Sequence, residues 1–163
     1  QQVYPKTERG RIPMRVGVGG TPESVVRAAR LNLPMALAVI GGDPARFTPI
    51  ANLYRHALSE FGHDPLALSI HSPGHVADTD EQAAAELWPN YRAMFGRIGR
   101  ERGWPAPTHE RFLDEVLHGS LYVGSPDTVA AKIVHAMRSL GAQRFDLKYS
   151  NGALAHSRPI YQL

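Results

Sequence analysis

Apolar residues along the chain alternate between short unbroken runs and longer stripes at helical spacing. Met14 to Val18 reads as a short strand, and Pro22 to Leu31 as a helix with Val25, Ala28 and Ala29 on one face and Arg27 and Arg30 outward. The run from Met35 to Ile40 is continuously apolar, as expected of a strand covered on both faces. Phe47, Ile50, Ala51, Tyr54, Leu58 and Phe61 stripe a helix of about five turns, ended by Gly62. Leu66 to His71 predicts a third strand, interrupted at Ser72-Pro73-Gly74. Asp78 to Glu81 open a long helical region with acids in the first turn, which suits the helix dipole. Trp88, Tyr91, Met94, Phe95 and Ile98 form its apolar face, and Pro89 is expected to kink or divide it. Thr108 to Leu117 is a short helix, Val129 to Leu140 stripe another, and Arg144 to Tyr149 predicts a fourth strand. Gln1 to Arg11 reads as a polar connector, and a helix in the tail from Gly152 is weakened by Pro159.

Strands alternating with helices imply an α/β fold of parallel βα units. Four such strands suit an open doubly wound sheet or half of an eight-stranded barrel, which takes about 250 residues. The chain's 163 residues suffice for one domain and one core. A half-barrel would leave its edge strands and the inward face of its sheet uncovered, with apolar side chains exposed, so a homo-oligomer or pairing with a missing half is expected.

Charge and composition narrow the partners. The net charge is +3 with scattered arginines not interleaved with aromatics, which disfavours nucleic acid. Absence of cysteine excludes disulfides and thiolate metal sites. No apolar run reaches the ~20 residues of a membrane span, and no signal peptide opens the chain, so a cytoplasmic protein is expected.

Three strand ends share one grammar of glycine, capping residue and proline: Gly19-Gly20-Thr21-Pro22, Gly41-Gly42-Asp43-Pro44 and Gly124-Ser125-Pro126. In the first, the glycines let the backbone turn tightly and approach a ligand, while Thr21 and Ser24 add hydroxyls to a helix start whose N–H groups lack partners. Val18, Gly19, Gly20, Thr21 and Ser24 thus form a candidate phosphate seat. The turn lacks both the dinucleotide glycine spacing and the lysine of an NTPase loop, so a mononucleotide or other phosphate monoester fits better. Asp43 would repel a phosphate, and it and Ser125 read as ordinary caps. His71, His75, Lys148 and Tyr149 fall at strand ends and are candidates for lining a pocket. A metal held by the two histidines with Asp78 or Asp80 matches no known spacing, and none is expected. No Gly-x-Ser-x-Gly elbow is present.

The ordered set Pro13 to Val25, Ala28 to Met35, Gly41 to Phe47, His71 to Thr79, Tyr122 to Pro126 and Phe145 to Ser150 resembles the bacterial luciferase-like flavin monooxygenases. The resemblance implies the carboxyl-terminal half of a TIM-type (β/α)8 barrel, with residues 1–163 forming a single domain that is a piece of the whole. It implies reduced FMN, or a deazaflavin in some branches, bound at the strand ends with its phosphate at Val18, Gly20, Thr21 and Ser24. Gly20 stands where bacterial luciferase has an acidic residue, so only a backbone N–H is offered there. The implied reaction is oxidation of a small organic substrate with oxygen, a separate flavin reductase supplying the reduced cofactor. No catalytic base is identifiable. On its own such a half is expected to be inactive, and the alternative is a non-catalytic phosphate-binding module completed by another chain.

Overall fold

The computed structural model describes residue 10 and residues 12–149. Apart from Gly10 the connector lies outside the described residues, as do Ser150, Asn151 and the tail with any helix after Gly152.

All strand pairs are parallel. Strands β1 (Val16–Val18), β2 (Met35–Ala38) and β3 (Leu68–Val76) lie side by side, with Val18 opposite Leu37 and Leu37 opposite Ile70. Beyond β3 come two strands, β4 (Tyr122–Gly124) and β5 (Arg144–Lys148). β5 pairs with β3 from Ser69 to Pro73, and β4 pairs with it from Gly74 to Val76. The helices are α1 (Pro22–Arg30), α2 (Thr48–Glu60), α3 (Asp80–Arg102), α4 (His109–Leu117) and α5 (Pro126–Leu140). A 3-10 turn, Pro44–Phe47, leads into α2 and takes the first turn expected of that helix.

Two expectations are corrected and a third is narrowed. β3 is not interrupted at Ser72-Pro73-Gly74 but runs through it and exchanges neighbours there. Proline lacks the ladder N–H and glycine lacks a Cβ, and the exchange occurs between these two residues. At Gly74 an added Cβ would lie 2.3 Å from the Tyr122 carbonyl oxygen, so β4 can approach only because glycine is there. Tyr122–Gly124, read from the sequence only as a helix approach, is a fifth strand. Pro89 does not divide α3. The carbonyl it leaves unbonded is that of Ala85, and both residues face solvent, where water can satisfy it.

One face of the sheet is covered by α1, α2 and α5. Met35, Leu37, Leu68, Ile70 and Tyr122 pack there against Val25, Ala28, Tyr54, Leu58, Val129 and Leu140. A smaller cluster joins Leu87, Phe112, Leu121 and Val123 under α3 and α4. The alternate positions of β1, β2, β3 and β5 belong to neither cluster. They form rows across the sheet: Gly17, Ala36, Ser69 and Arg144, then Ala38, His71 and Asp146, then Pro73 and Lys148. These rows therefore carry small and polar side chains, not the large apolar ones of the half-barrel expectation. Among the described residues, β1 and β5 pair on one side only, and no helix is long and apolar enough to cross a membrane.

Candidate functional site

The three glycine–proline turns lie at the carboxyl ends of β1, β2 and β4, where α/β sheets place ligands. Two are filled by carboxylates of the chain itself. At the third turn the Asp80 Oδ1 accepts from Ser125 N at 2.6 Å and its Oδ2 from the Thr128 hydroxyl at 3.0 Å. The Ser125 N–H, and then the Thr128 hydroxyl, hold the Asp80 carboxyl below the usual range. At the second turn both Glu115 oxygens accept from Gly42 N at 3.0 Å, and Asp43 caps Ala45 N at 2.8 Å. The reading of Asp43 and Ser125 as caps agrees with these contacts.

The first turn differs. Val18 is buried with its side chain in the core, leaving its backbone for the turn. Gly20 has φ +102°, a conformation that favours glycine. Thr21 makes no side-chain cap; its hydroxyl donates to Ser24 Oγ at 2.8 Å. With Thr21 donating, Ser24 keeps its own proton for another acceptor. Arg27, expected outward, reaches back to Ser24 Oγ at 3.5 Å. Among the described residues no carboxylate hydrogen-bonds to this turn.

Of the pocket candidates, His75 and Tyr149 come together, their rings stacked with centroids 5.4 Å apart. His75 is 5% exposed, and its Nε2 lies 2.7 Å from Glu86 Oε2. Glu86 Oε1 in turn accepts from Gln82 Nε2 at 2.7 Å. His75 Nδ1 is buried and has no hydrogen-bond partner among the described residues. His71 sits two rows away opposite Asp146, and Lys148 lies in the row between, opposite Pro73. Asp80 is engaged at the start of α5 by Ser125 and Thr128.

Sequence reasoning missed Glu86, Gln82, Glu115 and Lys132. The four-residue spacing of Gln82 and Glu86 was a visible signal; the pairing of Glu115 with a glycine 73 residues away was not. Lys132 Nζ donates to the carbonyls of Val116 at 2.5 Å and Leu121 at 2.9 Å, above the Tyr122 ring. Burial pulls its pKa down to about 8, with the Glu115 carboxylate opposing that shift. Burial pushes the Tyr122 phenol up to about 12; Ser72 nearby lowers it and Asp43 adds to the rise.

A family model described as luciferase-like monooxygenase matches residues 1–144. No curated protein matches the chain. Among solved structures, the monooxygenase RslO1 from Streptomyces bottropensis shares 22% identity at a TM-score of 0.65, covering 93% of this chain and 45% of that one. The oxygenating constituent of 3,6-diketocamphane monooxygenase from Pseudomonas putida, solved in complex with FMN, shares 21% at a TM-score of 0.58, covering 83% and 41%. The coenzyme F420 dependent tetrahydromethanopterin reductase from Methanopyrus kandleri shares 15% at 0.58, covering 85% and 45%. These likenesses establish the fold, and the chain spans less than half the length of each.

Proposed function

The chain belongs to the luciferase-like monooxygenase family, and we propose that it supplies the carboxyl-terminal half of a barrel oxidising a small organic substrate with reduced FMN and oxygen. The observation that carries this is the β1–α1 turn. Of three similar helix starts, it alone receives no carboxylate from the described chain. Its N–H groups at Gly20, Thr21 and Glu23, the Ser24 hydroxyl and the Arg27 guanidinium fit a phosphate, and the α1 dipole favours an anion there. Bound there, the flavin would supply the redox chemistry; the protein's share is placement, exclusion of water and movement of protons. A deazaflavin is the alternative cofactor, and the solved relatives include proteins named for each.

His75 is the best-placed group for proton transfer. Glu86 orients the ring through Nε2, and Nδ1 remains to exchange a proton. Tyr149 stacks on the ring and helps keep water from it. His71 and Lys148, in neighbouring rows, would line the same pocket.

The test is FMN titration of the native protein by fluorescence quenching. Ser24→Ala should weaken binding about tenfold or more, the equivalent of one charge-assisted hydrogen bond at about 1–3 kcal/mol. Gly20→Asp should weaken it further through repulsion between carboxylate and phosphate. Because any side chain is strained at φ +102°, Gly20→Ala serves as the strain control, and the difference between the two is electrostatic. Arg30→Ala, on the exposed face of α1, should bind as the parent does. Parental FMN affinity in both Ser24→Ala and Gly20→Asp would place the phosphate elsewhere. No flavin binding at all would favour the non-catalytic module.

A further inference from the structure

A second polar recess lies at the same strand ends. A cavity of about 70 Å³ is bounded by Ile40 and Gly41 after β2, Pro73 on β3, Tyr91 and Phe95 on α3, and Glu115, Ser120 and Leu121. Its walls are mostly apolar, and three groups give it polarity. Ser120 is 1% exposed, and its hydroxyl has no hydrogen-bond partner among the described residues. A buried hydroxyl left unpaired costs stability, so a natural chain holds one there when something else satisfies it. Glu115 brings a carboxylate whose hydrogen bonds, among the described residues, come from a single donor, the Gly42 N–H. Tyr91 brings a phenol that burial, then Glu115, keeps protonated.

We propose that this cavity is a subsite for the short, neutral, hydroxyl-bearing end of a ligand. A ligand hydroxyl can accept from Ser120 and donate to Glu115 at once, using both unfilled capacities. A ketone could only accept. An ammonium gains little, because Lys132 and Arg111 already lie within the field of Glu115 or Tyr91 and offset the acid. The cavity's volume of about 70 Å³ is several times the roughly 10–15 Å³ that admits one water-sized group, which leaves room for a short chain of non-hydrogen atoms. That suits a three- or four-carbon alcohol end. The claim that this end belongs to the oxidised substrate rests on the flavin reading; the binding itself does not.

The experiment uses 1-butanol as probe, without flavin, against the native protein by ligand-observed NMR, with 2-butanone and butylammonium in parallel. Butanol should bind most tightly of the three. Ser120→Ala should lower butanol affinity about tenfold while melting at or above the parent's temperature, since it removes an unpaired hydroxyl. Phe95→Trp, which narrows the cavity from α3, should also reduce butanol binding and covers the case in which Ser120→Ala fails to fold. Equal butanol binding by parent and Ser120→Ala overturns the proposal, as does butylammonium or 2-butanone binding best. No butanol binding, together with a lower melting temperature for Ser120→Ala, also overturns it and assigns the hydroxyl to an internal water. FMN titration of the same samples keeps the two readings apart. Loss of FMN binding in the parent with butanol binding intact removes the flavin reading and leaves the subsite standing.

Discussion

Replacing Gly74 by alanine tests the contact that brings β4 onto β3 and so sets the positions of His75, Ser120 and Tyr122. The added Cβ would lie 2.3 Å from Tyr122 O, 2.5 Å from Leu147 Cδ1 and 3.0 Å from Tyr122 Cβ. The leucine methyl can rotate away. The carbonyl cannot, because it belongs to a strand held opposite Gly74, His75 and Val76. Relief to an ordinary contact of about 3.4 Å would withdraw β4 by roughly 1 Å and break that three-residue ladder, an overpacking cost of about 1–3 kcal/mol. At about 2–4 °C per kcal/mol for a domain of this size, the melting temperature should fall by roughly 2–12 °C. Gly96→Ala is the counter-test. Its Cβ would meet only Arg100 Nη1 at 3.9 Å within α3, and alanine in a helix interior gains about 0.5–1 kcal/mol over glycine. The two Gly→Ala changes should therefore shift the melt in opposite directions when followed by circular dichroism. A Gly74→Ala protein that melts with or above the parent would show that β4 does not sit against β3 as described.

Two further predictions concern pH. The Asp80 carboxyl is held below its usual value by Ser125 and Thr128, so its contribution is full above about pH 4 and is lost as pH falls through the native value. Asp80→Asn should flatten the acid limb of a stability profile; an unchanged limb would mean the α5 cap carries no proton linkage. Lys132 titrates near 8 in the folded chain, against an ordinary lysine value of 10.5 once unfolded, so between those values the unfolded chain binds more protons and stability should rise with pH. Lys132→Met should remove that rise whatever its effect on overall stability. An equal slope in chemical denaturation from pH 8 to 10 would refute the assignment.

The sequence by itself determined the βα alternation, the parallel pairing and the ends of most elements. These rest on local causes that a chain cannot hide: the unbroken run at Met35, the stripe from Ile50 to Leu58, the prolines and hydroxyls at the helix starts, and the left-handed Gly62 after a helix end. It also set the first glycine–proline turn apart as a phosphate seat and read Asp43 and Ser125 as caps. Only the tertiary structure showed that carboxylates from elsewhere fill the other two, because Asp80 lies 45 residues before Ser125 and Glu115 lies 73 beyond Gly42. The same holds for His75, whose spacing to Glu86 is ordinary, but whose burial under Tyr149 requires β5 to return beside β3. It holds again for Gly74, which looked like a break in a strand and is a close approach of two. Periodicity and capping act over a few residues and so can be read along the chain. Which carboxylate fills which helix start depends on contacts between distant segments, and those exist only once the sheet has brought them together.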